Sequence, residues 1–157
     1  MNPNNKTTKD NPVGRFMVAV GAVIEFVNSG EILIIQRDKS LDWQPAEWEI
    51  IYGRLDQFET PEDGLQREAK EEIGLTDLVI GNVLSTWHIY RGDKSADNEL
   101  IGITYACQTN TRDIKLSYEH SEYRWVKPEQ ALELIKVDGI SRDIRLYQDL
   151  KERELIQ

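Results

Sequence analysis

The chain has 157 residues, of which 39% are hydrophobic and 30% charged, and a formal net charge of -9. It is long enough for one domain with a substantial core, and its ordinary balance of residue types excludes a low-complexity chain. The negative charge argues against a general nucleic-acid-binding surface; no apolar run reaches membrane-spanning length and the N-terminus lacks the apolar core of a signal peptide, so a cytoplasmic protein with no membrane partner is expected.

Residues 1–14 are polar, carry two prolines and are expected to form a disordered tail, which leaves 15–157 as a single domain. Arg15–Val27 is rich in β-branched residues and reads as a strand buried on both faces. Asn28-Ser29-Gly30 is a turn and Glu31–Arg37 the returning strand, together a hairpin. Asp38–Glu47 is a loop with Trp43 and Pro45, and Trp48–Tyr52 a short strand that leads to Gly53. A helix follows. Thr60 is its N-cap with Asp63 three residues on, Pro61 suits the first helical position, and Gly74 suits the left-handed stop.

Leu78–Tyr90 is apolar with little alternation and reads as one long strand, or two broken at Gly81-Asn82. After the polar turn Arg91–Asn98, Glu99–Gln108 is a strand with Ile101, Ile103, Tyr105 and Cys107 on one face. A further strand lies within Glu119–Val126, with Tyr123 and Trp125 as core, and a helix starts at Pro128 and runs to Ile135. Ser141 caps a last helix whose Ile144, Leu146, Tyr147 and Leu150 make an apolar stripe. Strands, a helix, more strands and then helices predict an α+β or mixed α/β domain. The single cysteine, Cys107, lies in an apolar run and reads as a buried inert thiol.

Seven carboxylates crowd the stretch Gly53–Leu75: Asp56, Glu59, Glu62, Asp63, Glu68, Glu71 and Glu72. Glu68, Glu71 and Glu72 fall at i, i+3 and i+4 and share a helix face, where like charges repel. A solvated acidic face is the plain reading; a hard divalent cation held by carboxylate oxygens is the one that neutralises the repulsion. Arg67 pairs with Glu59 and, as the neighbour of Glu68, is expected to point away from the acidic face toward the preceding loop.

Nine positions in this stretch, Gly53, Glu59, Arg67, Glu68, Ala69, Glu71, Glu72, Gly74 and Leu75, follow the pattern Gly-x5-Glu-x7-Arg-Glu-apolar-x-Glu-Glu-x-Gly-apolar. The stretch resembles the signature box of the Nudix hydrolase family. The resemblance implies an α/β/α sandwich with a mixed β-sheet between helices. It also implies a metal-dependent hydrolase of phosphoanhydride bonds in a nucleoside diphosphate linked to another moiety, working with magnesium or, as a substitute, manganese (Mg2+ or Mn2+). By the same resemblance Glu71 and Glu72 are metal ligands, Glu68 is a ligand or the base that activates water, the Gly53 carbonyl is a further ligand, and Glu59 with Arg67 is an orienting pair. Ile51-Tyr52-Gly53 departs from the Pro-Gly-Gly frequent in the family, and Phe58 stands where many members have Gly.

A later segment, with Ser117, Glu119, His120, Tyr123, Arg124 and Trp125 in the order Ser-x-Glu-His-x-x-Tyr-Arg-Trp, resembles the asymmetric diadenosine tetraphosphate hydrolases. That implies Glu119 as an acid completing the site and a dinucleoside polyphosphate as substrate. Glu122 is the rival carboxylate, expected on the face of Arg124 toward solvent, and His120 is expected at the surface or in a turn. A nucleoside triphosphate is the alternative substrate, a non-catalytic nucleotide-sensing module the alternative of another class, and an interaction domain the third. Arg37, Arg54 and Arg91 are the cations best placed for phosphates, and Trp43, Tyr52, Trp87 and Tyr90 border the expected site; Tyr90 lies near where the dinucleoside polyphosphate members carry a substrate-contacting tyrosine. The expected partner is a small nucleotide rather than a nucleic-acid polymer, and the protein a monomer or homodimer.

Overall fold

The computed structural model describes residues 14–27 and 29–156. All of the expected tail except Gly14, and Asn28 of the expected turn, lie outside the described residues. Seven strands form one mixed sheet: β1 (Met17–Phe26), β2 (Glu31–Arg37), β3 (Trp48–Glu49), β4 (Ile51–Arg54), β5 (Val79–Tyr90), β6 (Glu99–Thr109) and β7 (His120–Val126). Three α-helices pack on it: α1 (Pro61–Ile73), α2 (Pro128–Leu134) and α3 (Asp138–Glu152). The main path through the sheet is β3-β2-β1-β6-β5, with β4 added to β1 and β7 to β2. Among the described residues no helix is long and apolar enough to cross a membrane.

β1 is the spine. It pairs in parallel with β6 along its whole length, from Met17↔Leu100 to Phe26↔Thr109. The expected β1–β2 hairpin forms only at its closed end, Glu25↔Ile32 and Phe26↔Glu31. The same edge of β1 is taken over Ala19–Ala22 by β4, which runs antiparallel to it, so β2 diverges and pairs instead with β3 and β7. Alternation along β1 serves two cores, as a strand buried on both faces requires. Val20, Ala22 and Ile24 pack with Leu65, Ala69 and Ile73 of α1, whereas Val23 packs with Ile140, Ile144 and Tyr147 of α3. The result is an α/β/α sandwich.

The Leu78–Tyr90 segment is one strand rather than two, its irregular pattern absorbed by register shifts on either side of Val83. The last helix differs from expectation at its start. Its N-cap is Val137, and Ser141 lies a turn inside, buried, with its N–H donating to the Val137 carbonyl. Asp138 in the first turn, which meets the positive end of the helix dipole, supplies the start that a serine cap would have supplied. Glu25, buried on the α3 side, accepts hydrogen bonds from Tyr147 and Lys151, both at 2.8 Å, and so fastens α3 to β1.

Candidate active site

α1 begins and ends where its capping residues require. The Thr60 hydroxyl accepts the Asp63 N–H at 3.1 Å and donates to the Asp63 carboxylate at 2.7 Å. Gly74 adopts φ 70, and the next N–H, of Leu75, reaches back to the Ala69 carbonyl at 3.0 Å. The helix is pressed onto β4 at one point. A Cβ at Gly53 would collide with the Glu68 carboxyl group, so glycine lets that carboxyl lie directly against β4 and is not there for an unusual backbone angle.

At about 100° per residue, Glu72 lies to one side of Glu68 and Glu71 to the other. The packing of Leu65, Ala69 and Ile73 turns the first pair inward and the third outward. Glu68 is buried, the Glu72 Oε2 is enclosed without a hydrogen-bond partner, and the Glu71 side chain is 60% exposed. The face inferred from spacing is therefore divided by depth.

Arg67 corrects a second expectation. Its guanidinium does bind Glu59, at 2.8 and 2.9 Å, and the Arg54 carbonyl at 2.9 Å, which ties the Arg54–Glu59 loop to α1. It does not point away from the acidic face, for Nη1 also reaches Glu68 at 2.8 Å and Glu71 at 3.2 Å. Five donors in a planar fork allow one side chain to meet all these acceptors. Arg67 holds the Glu59 carboxyl down to about 2, with the Asp56 N–H assisting.

The inner carboxylates behave oppositely. Burial, then the charges of Glu68, Glu119 and Glu49, push the Glu72 carboxyl up to about 9, with Arg37 opposing. Burial also raises Glu68, where Arg67 pulls back and the charges of Glu71 and Glu119 add. Four carboxylates from three parts of the chain thus act on one another: Glu68 and Glu72 from α1, Glu119 from the turn before β7, and Glu49 from β3. Glu49 escaped the sequence reading because it lies in a two-residue strand outside every recognised motif. Its only local signal is a charge within an apolar segment, where a buried acid needs a partner.

These groups open into a cleft of about 560 Å³. Arg37, Trp43, Gly53, Arg54, Arg67, Glu68, Glu72, Arg91 and Glu119, all inferred from sequence, line it. Its other wall comes from the opposite face of the sheet. Tyr52 and Trp87 meet edge to face at 5.6 Å, and Trp87 Nε1 donates to Thr104 at 3.1 Å. These rings press against the sheet backbone because Gly21 and Gly102 have no Cβ to collide with them. The substitution of Tyr52 into the Ile51-Tyr52-Gly53 segment and the glycine at 21 are thus two halves of one contact. Arg142 of α3 completes this wall and was not foreseen.

Glu59 and Glu71 stand outside the cleft, joined to it through Arg67. Tyr90 is also outside, half-buried against His88 at 5.2 Å and beneath Lys94. Glu122 points outward to Arg124 at 2.7 Å, as expected. His120 is not at the surface; its side chain is 2% exposed and its Nε2 lies 3.2 Å from Glu49. The Cys107 thiol is buried and pushed up to about 12 by that burial, an inert group.

The donor set suits a hard cation. Oxygen ligands predominate, the enclosed Glu72 Oε2 lacks a partner, and burial, with the charges of neighbouring acids added, raises Glu72 and Glu68. Among the described residues no three acidic, histidine or cysteine side chains converge as a closed ligand set. Arg67 occupies Glu68 and Glu71.

Residues 15–149 match the NUDIX domain family. Over 110 residues the chain is 26% identical to the nucleoside triphosphatase NudI of Escherichia coli, an alignment covering 65% of this chain and 77% of that protein. It is similar to the crystal structure of a MutT protein from Methanosarcina mazei Go1, with a TM-score of 0.71 and 26% identity over 89% of this chain and 99% of the other. It shares its fold with a C. elegans Ap4A hydrolase, with a TM-score of 0.70 and 23% identity over 87% and 98%.

Proposed function

This chain belongs to the Nudix hydrolase family, and we propose that it hydrolyses a phosphoanhydride bond in a nucleoside diphosphate linked to another moiety, with a dinucleoside polyphosphate as the leading substrate. The observation that carries the reading is the approach of Glu119 to Glu68 and Glu72 in a cleft whose far wall is Tyr52 and Trp87. Acids at one end and flat rings at the other suit a ligand with a phosphate chain and a base.

Glu68, Glu72 and Glu119, with Glu71 and the Gly53 carbonyl at the margin, would hold divalent magnesium, which when bound supplies charge neutralisation and activation of water. Arg37 and Arg54 meet the phosphate oxygens, as guanidinium forks do. Trp43, Tyr52 and Trp87 take the base. Glu119, half-buried and reaching the reacting end from outside α1, accepts the proton of the attacking water or serves as a ligand.

A nucleoside triphosphate is the second reading, favoured by the similarity to the nucleoside triphosphatase NudI. A panel of diadenosine tetraphosphate, nucleoside triphosphates and inorganic tripolyphosphate, each with magnesium and with excess chelator, tests both. Hydrolysis of diadenosine tetraphosphate above the others, lost on chelation, is the expected result. Preference for triphosphates selects the second reading, and full turnover in chelator overturns the role given to the acids.

Glu119→Gln is expected to lower kcat by at least about tenfold, or ~1.4 kcal/mol of transition-state stabilisation, with little change in Tm. Glu122→Gln, which alters only an exposed pair with Arg124, should be close to neutral. If Glu122→Gln is the crippled variant, the dinucleoside polyphosphate reading loses its main support.

A further inference from the structure

Glu49 sits at the centre of a buried group that spans three strands. Its Oε1 accepts from Arg37 Nη1 at 3.2 Å and lies 3.2 Å from His120 Nε2. The three side chains are 9%, 14% and 2% exposed for Glu49, Arg37 and His120. The sheet builds this arrangement. β2 pairs with β3 through Ile35↔Glu49 on one side and with β7 through Arg37↔His120 on the other. A bulge makes the last pairing possible, because the register passes from Gln36↔Glu122 directly to Arg37↔His120 and leaves Ser121 unpaired. Without it, regular alternation would put His120 on the exposed face of Glu122 and Arg124. Bulges beside functional sites commonly re-aim a side chain in this way.

Arg37 is held from two directions. Its Nε donates to the Trp43 carbonyl at 2.8 Å while Nη1 is taken by Glu49, and Nη2 has no protein partner among the described residues. The same unit reaches Glu119, whose carbonyl accepts the Asp38 N–H at 2.8 Å, one residue beyond Arg37. For stability alone, a further acid here is a poor choice. It adds charge beside Glu72, and buried ion pairs are often replaced by apolar residues at no loss of stability. Its geometry, however, fixes the plane of Arg37 in the cleft.

We propose that Glu49, braced by His120, is a positioning residue that presents the Arg37 guanidinium to a substrate phosphate in register with Glu119. The proposal rests on the reading that Arg37 meets phosphate. Loss of Glu49 would leave Arg37 charged but held only by the Trp43 carbonyl, with the Nη1 side of its fork no longer fixed, so it would weaken substrate binding more than the chemical step.

The test is a double-mutant cycle of Glu49→Leu and Arg37→Ala, with KM and kcat on the best substrate of the panel, Tm, and magnesium affinity measured with the metal alone. Glu49→Leu is expected to raise KM at least about tenfold and to change kcat much less, while Glu49→Gln, which keeps a carbonyl acceptor, recovers most of the loss. In the Arg37→Ala background Glu49→Leu should add less than about twofold. His120→Leu carries the same test if Glu49→Leu does not fold, because it leaves the Arg37–Glu49 pair in place and removes only the brace. Here too KM rises, and the rise vanishes without Arg37. Additive effects of the two substitutions, or weakened magnesium binding in Glu49→Leu, would overturn the proposal and make Glu49 an independent site group or a metal ligand. An Arg37→Ala variant with unchanged KM would instead refute the underlying reading of Arg37 as a phosphate contact.

Discussion

Glu72→Gln is expected to remove most of the activity while making the ion-free protein more stable above neutral pH. The loss should be roughly 10²–10³ in kcat, the size typical of deleting one preorganised electrostatic contact. The gain in stability follows from the same burial. In the folded protein the Glu72 carboxyl is pushed up to about 9 from an ordinary 4.5. A raised acid contributes stability that is complete below its unfolded value and is lost as pH rises through its folded value. Near pH 5 the protonated glutamate and the glutamine are nearly equivalent. Between there and pH 9 the wild type must take up a proton against the solvent or bury a charge, and the variant need do neither. Melting curves in chelator should therefore separate progressively from pH 5 to pH 9, with the variant higher. Magnesium should reverse the order by raising the Tm of the wild type more, as a ligand that binds only the folded state must. A Tm difference independent of pH would mean that Glu72 is solvated, and wild-type rates in Glu72→Gln at saturating magnesium would show that it is not a ligand.

Arg67→Ala should damage the fold as well as the rate, with a fall in Tm of about 5 °C or more at neutral pH. One guanidinium satisfies Glu59, Glu68, Glu71 and the Arg54 carbonyl. Its removal frees the loop from α1 and leaves three acids repelling one another. The sign with pH is opposite to that for Glu72. The Glu59 carboxyl is held down to about 2 by Arg67, so its contribution is present above its ordinary 4.5 and lost as pH falls through 2. The Tm difference between wild type and variant should narrow on going from pH 7 to pH 3. Arg67→Lys should recover little, since an ammonium group cannot grip Glu59 with two parallel bonds. An unchanged Tm in Arg67→Ala at pH 7 would mean that the fork contributes nothing to holding the loop.

The proposed role of magnesium and the ordering of candidate substrates meet at the same acids. Because Glu72 holds a proton in the ion-free protein at neutral pH, binding a cation there must release it, and affinity for the metal should strengthen as pH rises toward 9. Proton release during magnesium titration, compared in two buffers of different ionisation enthalpy, would report this directly.

The sequence by itself determined the helix that carries the box and most of the strands. Caps, turns and apolar periods are local signals, and Thr60, Pro61 and Gly74 act within one turn of their own positions. It also determined the acids of that helix and, through motif spacing, singled out Glu119, which lines the same cleft. Tertiary structure alone decided how deep each acid lies. Glu68 and Glu72 are turned inward and Glu71 outward by which side of α1 meets the sheet. It decided that Glu49, Arg37 and His120 converge, because residues far apart in sequence are joined only through the register of β2 with β3 and β7, and one unpaired residue in β7 reverses the face of His120. It decided as well that Tyr52 and Trp87 line the cleft while Tyr90 does not. An aromatic ring's place on a sheet depends on what lies beneath it, and here that is Gly21 and Gly102 on two other strands.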